Sequence, residues 1–179
     1  MITTRSLAPR RRPLWVVAAL TVLSLGIYLP IWLGLSWVEL RRETKDETMQ
    51  PLGHALSLFV PGYGYYQVYR HFALIDHLLA KVGAPRRVDA LSATIGVVLW
   101  SFTWLHYSSE PLFILLDALE LAAATAVVAY GQRALNDYWL ARPGDAVEER
   151  VLETDWFAMA VAAVYFVSIL ISYAAALTN

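Results

Sequence analysis

Apolar residues in this chain gather into long blocks, and charges collect in the gaps between them. Blocks of this length, without strict alternation, are the pattern of segments that meet hydrocarbon rather than a soluble core. They cover about residues 14–38, 52–69, 88–105, 112–131 and 156–177. Each predicts helix, because a chain in lipid must satisfy its own backbone groups and a helix does so within one segment. The expected fold class is all-α: a polytopic helical membrane protein, with a basic, unstructured cytoplasmic tail at 1–13 and a single helical membrane domain over 14–179.

Three blocks read as clear spans. Val88–Leu105 closes on Trp100 and Trp104. Leu112–Gly131 opens at Pro111, a residue suited to a first helical turn, and an arm over Gln132–Arg142 extends it. Trp156–Leu177 is apolar almost to its end. The other two blocks are interrupted. Leu14–Val38 carries Gly26 and Pro30, and a kink is expected where Pro30 clashes with the Gly26 carbonyl. Leu52–Tyr69 is broken by Pro61-Gly62-Tyr63-Gly64 and is barely long enough to cross. From Gln67 to Val82 the period changes. Val68, Phe72, Ile75, Leu79 and Val82 form a stripe opposite Arg70, His77 and Lys81, which predicts a helix lying in the membrane interface.

The basic residues set the orientation, since Lys and Arg favour the cytoplasmic side. They stand before the first block (Arg5, Arg10, Arg11, Arg12), in the 70–87 region (Arg70, Lys81, Arg86, Arg87) and after Gly131 (Arg133, Arg142, Arg150). None stands in 106–111 or after 151. The N-terminus is therefore expected inside and the C-terminus outside. Arg41, Arg42 and Lys45 are the exceptions. If the two interrupted blocks cross, these three face outward and there are five spans. If both blocks re-enter, all basic residues are inside and there are three. Charge favours re-entry. Block length and the Trp15/Trp37 pair favour crossing, and five spans is the expectation because broken backbone exposed to lipid is costly.

Composition agrees with the pattern. The apolar fraction is 58% and the charged fraction 16%, against about 45–50% and about 25% in soluble domains. A net charge of −1 points to no nucleic-acid partner. With no Cys, thiolate catalysis, disulfides and Cys-ligated metals are excluded. Arg10-Arg11-Arg12-Pro13 before an apolar block suggests a signal peptide, but no small-residue cleavage site follows, so a retained segment is expected.

Leu23-Ser24-Leu25-Gly26-Ile27-Tyr28 with Trp32 is echoed by Leu56-Ser57-Leu58, Pro61-Gly62-Tyr63 and Tyr66, an offset of 33 residues at the start. Each copy leads into a charged, helix-compatible arm, the signature of a weak internal duplication. Together with Gln132-Arg133-Ala134-Leu135-Asn136, these residues resemble a group of prokaryotic membrane proteins classed as domains of unknown function. In that group a Gly-Ile-Tyr…Trp pattern repeats and a later span closes on Gln-x-x-Leu-Asn. The resemblance covers roughly residues 10–140. Leu29-Pro30 departs from it, the second copy lacks the Trp, and the last block lies outside it. It implies a membrane protein and supplies no catalytic residues. The motif residues are Gly26, Tyr28, Pro30, Trp32, Pro61, Gly62, Tyr63, Gln132 and Asn136.

Asp117 and Glu120 are the candidate intramembrane polar site, three residues apart on one helix face. Glu120 falls about 13 Å along a helix starting at Pro111, near mid-membrane. Such an acid costs about 2.5–3.5 kcal/mol to insert and must face protein or water. A neutral carboxyl bonded across a helix interface is preferred to a proton or cation site. His54, His71, His77 and His106 show no metal-ligand spacing, and His71 with Asp76 and His77 reads as a solvated polar face. Tyr63, Tyr65, Tyr66 and Tyr69 read as an aromatic belt. Gln132 and Asn136, one turn apart, cap a helix end or contact the first repeat.

No catalytic set, cofactor site or metal site is visible. The expectation is a non-enzymatic interaction or scaffold protein of the plasma membrane, its partners the bilayer and a second copy of the chain or another membrane protein. A small transporter using Asp117 and Glu120 is the alternative, and a lipid-acting enzyme a distant third.

Overall fold

A computed structural model describes residues 10–60, 62–102, 110–145 and 147–177. Among them the chain is all helical, with seven α-helices and no strand: α1 (Leu14–Leu23), α2 (Tyr28–Thr44), α3 (Pro51–Leu56), α4 (Tyr63–Lys81), α5 (Ala90–Ser101), α6 (Pro111–Ala141) and α7 (Glu153–Leu177). A short 3-10 turn, Ser57–Phe59, follows α3.

The first apolar block is not one kinked helix. It is a helical hairpin. Leu25 and Gly26 adopt positive φ, 50° and 87°, which ends α1. Pro30 lies in the first turn of α2, where its missing N–H is no loss and it need not kink the helix. α2 then runs back alongside α1, so that Arg12, just before α1, pairs with Glu39, well along α2. The second interrupted block also turns back. Gly62, at φ 79°, starts α4, and a side chain at Gly64 would strike the Ser57 carbonyl. Pro61 itself lies outside the described residues.

These folds correct the expected span count. Among the described residues two helices are long and apolar enough to cross a membrane, Leu112–Ala141 and Glu153–Ser172, rather than three to five. The turn at Leu25–Gly26 ends α1 after 10 residues, and α5 has 12, about 15 and 18 Å against a hydrocarbon core of ~30 Å. Trp104 and, of the turn expected over 106–111, residues 106–109 lie outside the described residues. The arm expected beyond Gly131 continues α6 without a break to Ala141.

α6 is the central post. α1, α4 and α5 pack against it, α5 also lies along α4, and α3 lies along α2. The core centres on Trp32, Leu29, Phe72, Ile75, Leu79 and Leu135, all essentially without exposure. Gly131 allows this, because a side chain there would run into the Trp32 and Phe72 rings. The Val68–Leu79 stripe of α4 therefore faces α5 and α6, not a membrane interface. Its expected position is corrected by simple competition: the apolar faces of two other helices were available to cover it.

Candidate functional site

Several of the polar residues buried in this fold meet at one end, where the segment 10–12, the later turns of α2, the last turns of α6 and the start of α7 converge. Gln132 is fully buried there. Its side-chain oxygen accepts from the Trp32 indole N–H at 2.8 Å and from Arg12 at 3.4 Å. Its amide nitrogen donates to Asn136 at 2.9 Å, and Asn136 donates to the Arg12 carbonyl at 2.8 Å. The structure thus brings Trp32, Gln132 and Asn136 together. α2 supplies the first, and the four-residue spacing on α6 puts the other two on one face.

Around this core stand ion pairs. Arg12, 4% exposed, holds Glu39 with Nη2–Oε1 at 2.6 Å. Burial pushes the Glu39 carboxyl above its ordinary value, with Arg12 opposing the shift. Arg10 forks onto Asp155 of α7, with Nη2 to Oδ1 at 2.8 Å, and also donates to the Arg150 carbonyl. Glu43 accepts from the Tyr138 hydroxyl at 2.7 Å and from Arg142 at 2.9 Å. Arg11 joins the 147–150 segment, its N–H donating to the Glu148 carbonyl at 3.0 Å. Nearby, Arg86 pairs with Asp137, and Arg87 with Asp76, whose carboxyl is lowered to about 2 by that bond and by the Val88 N–H.

The basic stretch expected as an unstructured tail is therefore ordered from Arg10 onward, because the Arg10 and Arg12 guanidinium groups are buried against acids of α7 and α2. Residues 1–9, with Arg5, lie outside the described residues. His71 is a second correction. It is fully buried, not on a solvated face, with Nε2 3.0 Å from the Ser36 hydroxyl and its ring against Trp32 and Trp37. Burial lowers it to about 3, so it is a neutral core residue at physiological pH.

The other sequence candidates are dispersed. Gly26 and Tyr28 form and follow the α1–α2 turn, with Pro30 just beyond, and Gly62 and Tyr63 open α4. Asp117 is half-buried and Glu120 buried on α6, far along the helix from the network, and the Glu120 Oε2 has no hydrogen-bond partner. Tyr63, Tyr66 and Tyr69 are exposed, while the Tyr65 hydroxyl meets Ser101 at 2.8 Å. Among the described residues no group of three or more His, Asp or Glu could hold a metal ion.

Next to the network a cavity of about 630 Å³ opens between α2 and α7. Arg10, Arg12, Glu39 and Arg42 line one part, and Leu20, Ile31 and Leu35 another. It exists because α7 packs on α1 and barely touches α2.

Residue patterns missed Arg10, Arg12, Glu39 and Asp155 as a set. The available signal was position: Glu39 ends one apolar block and Asp155 precedes another, where α-helical charges meet the same surface as the Arg10–Arg12 run. Comparison of the chain with family models, curated proteins and solved structures gives no match.

Proposed function

We propose that this chain is an integral protein of the plasma membrane that acts by binding within the bilayer, as an interaction or scaffold protein, rather than by catalysis. One observation carries it. The apolar stretch Glu153–Ser172 of α7 is only 11% buried, and that of α6 only 22%. A core helix of a soluble protein is mostly covered by its own chain, whereas these two leave long apolar faces for lipid or a membrane partner.

The charged network then belongs at the cytoplasmic surface. With α1–α2 and α3–α4 as re-entrant hairpins, Arg41, Arg42 and Lys45 join the other basic residues inside, and the positive-inside rule is met throughout. The chain goes outward over residues 90–110, of which α5 is the first 12, and α6 and α7 are the two membrane-length passes, with the N-terminus inside and the C-terminus outside. The broken backbone at Gly26 is tolerated because it packs against protein: the Trp100 side chain lies against it.

Single-cysteine variants in intact cells test the arrangement, since the chain has no native Cys. Glu110→Cys should react with an impermeant maleimide, while Arg41→Cys and Arg133→Cys should react only after the membrane is opened. Labelling of Arg41→Cys together with Glu110→Cys in intact cells would overturn it.

A second reading, an ion- or proton-conducting protein, draws on the buried Glu120 Oε2 without a hydrogen-bond partner on a membrane-length helix. Proton flux in liposomes that is abolished by Glu120→Gln would favour it over the first. Absence of flux in the parent protein would remove it.

A further inference from the structure

We infer that the cavity between α2 and α7 is a binding site for a zwitterionic phospholipid, with the headgroup among the arginine–carboxylate pairs and an acyl chain along Ile31 and Leu35. This rests on the membrane reading given above.

The wall of α2 grades from apolar to charged in the sense an amphiphile needs. Ile31 and Leu35, half-exposed large aliphatics, come first, then Glu39, then Arg42. From Ile31 to Arg42 the distance is about 16 Å at the α-helical rise, room for a headgroup, a glycerol and the first methylenes. The volume, about 630 Å³, is that of a small-molecule pocket. Aliphatic side chains this exposed at the mouth suit an acyl chain and would be wasted on a soluble metabolite.

Charge selects the headgroup. Arg10, Arg12 and Arg42 line the site, and so do Glu39, Glu43 and Asp155. The balance is neutral. A polyanionic headgroup would meet three carboxylates, and a sugar or diacylglycerol would bring no anion to the arginines that line the site. A phosphate linked to an ammonium answers both signs at once. Thr154 on the α7 side adds a hydroxyl to the lining. The Arg10–Asp155 and Arg12–Glu39 pairs fix the arginines beforehand, so little order is lost on binding.

Native mass spectrometry of the full chain in detergent, after delipidation and incubation with defined lipids, tests this. The parent protein should keep one phosphatidylethanolamine at collision energies that strip phosphatidylglycerol and diacylglycerol. Arg42→Ala should retain about tenfold less, the loss expected for one charge-assisted hydrogen bond. Ile31→Trp, which fills the apolar part from an exposed position, should lose the adduct too. Arg41→Ala removes a neighbouring exposed charge that does not line the cavity and should keep it. Equal retention of all lipids, preference for phosphatidylglycerol, loss in Arg41→Ala to the same extent, or a second copy of the chain in place of lipid would overturn the site. Alkaline carbonate extraction of the same cells separates the two proposals: chain that stays in the membrane without a specific adduct refutes the site alone, and extracted chain refutes the membrane reading.

Discussion

Gln132 concentrates the physics of the site in one side chain. A buried primary amide offers two acceptor sites and two donors, and it is tolerated only when neighbours use them. Trp32 and Arg12 use its oxygen and Asn136 its nitrogen. Replacing it with Leu keeps the volume but strands the Trp32 N–H in a dry core, and a buried polar group left unsatisfied costs about 1–3 kcal/mol. Gln132→Leu should therefore lower stability by about 2–4 kcal/mol across the two main partners, read as a fall in the thermal midpoint in detergent and a red-shifted Trp32 emission. Unchanged stability would mean that the Trp32–Gln132 bond contributes nothing. The glutamine was singled out in the sequence through its motif. Its partner Arg12 was not, because an arginine in a basic N-terminal run looks like a solvated charge until a buried carboxylate is brought to it from far along the chain.

At the scale of elements, the turn at Gly26 decides whether the first apolar block crosses or returns. Two separate costs guard it: a left-handed backbone that L-residues enter at about 1–2 kcal/mol, and the Trp100 indole lying where a Cβ would be. Gly83 carries only the first, with φ +69° and open space around it. Gly26→Ala should thus destabilise the protein by about 1–3 kcal/mol more than Gly83→Ala, the usual overpacking range, in thermal or denaturant unfolding compared side by side. Equal effects would say that Trp100 yields freely and does not pin the hairpin tip. The sequence made the break itself legible, since Gly and Pro punctuate an apolar run wherever they occur. It left the consequence open. A Gly–Pro break reads equally as a kink or a reversal from local chemistry, and the choice is made by distant residues: Arg12 meeting Glu39, and Trp100 covering the tip. The stripe on α4 was legible for the same local reason, while its neighbour was not, because periodicity marks an apolar face without saying whether lipid or protein covers it.

For the whole molecule, the question is how firmly α7 belongs to the rest. Among its described side chains only Asp155 and Met159 are buried, both near its start. Beyond them its described side chains are half-buried or exposed, so its most buried contacts lie in the first turns. Attachment then rests on the packing of its first turns on α1 and on the Arg10–Asp155 pair, whose side chains are 9% and 10% exposed. Breaking a buried pair by removing one partner leaves the other charge uncompensated and costs about 3–5 kcal/mol. If α7 is joined mainly there, that energy is lost from one joint and not from the fold as a whole. Asp155→Ala should therefore speed cleavage by a glutamate-specific protease at the exposed Glu148 and Glu149 by tenfold or more, about the change expected when a local opening is made a few kcal/mol easier, while the unfolding midpoint of the 10–141 helices, followed by Trp32 fluorescence, stays nearly unchanged. A lowered midpoint with no faster cleavage would show instead that α7 and the helical core unfold as one unit, and that the cavity beside α2 is walled by a helix as fixed as the post at its centre.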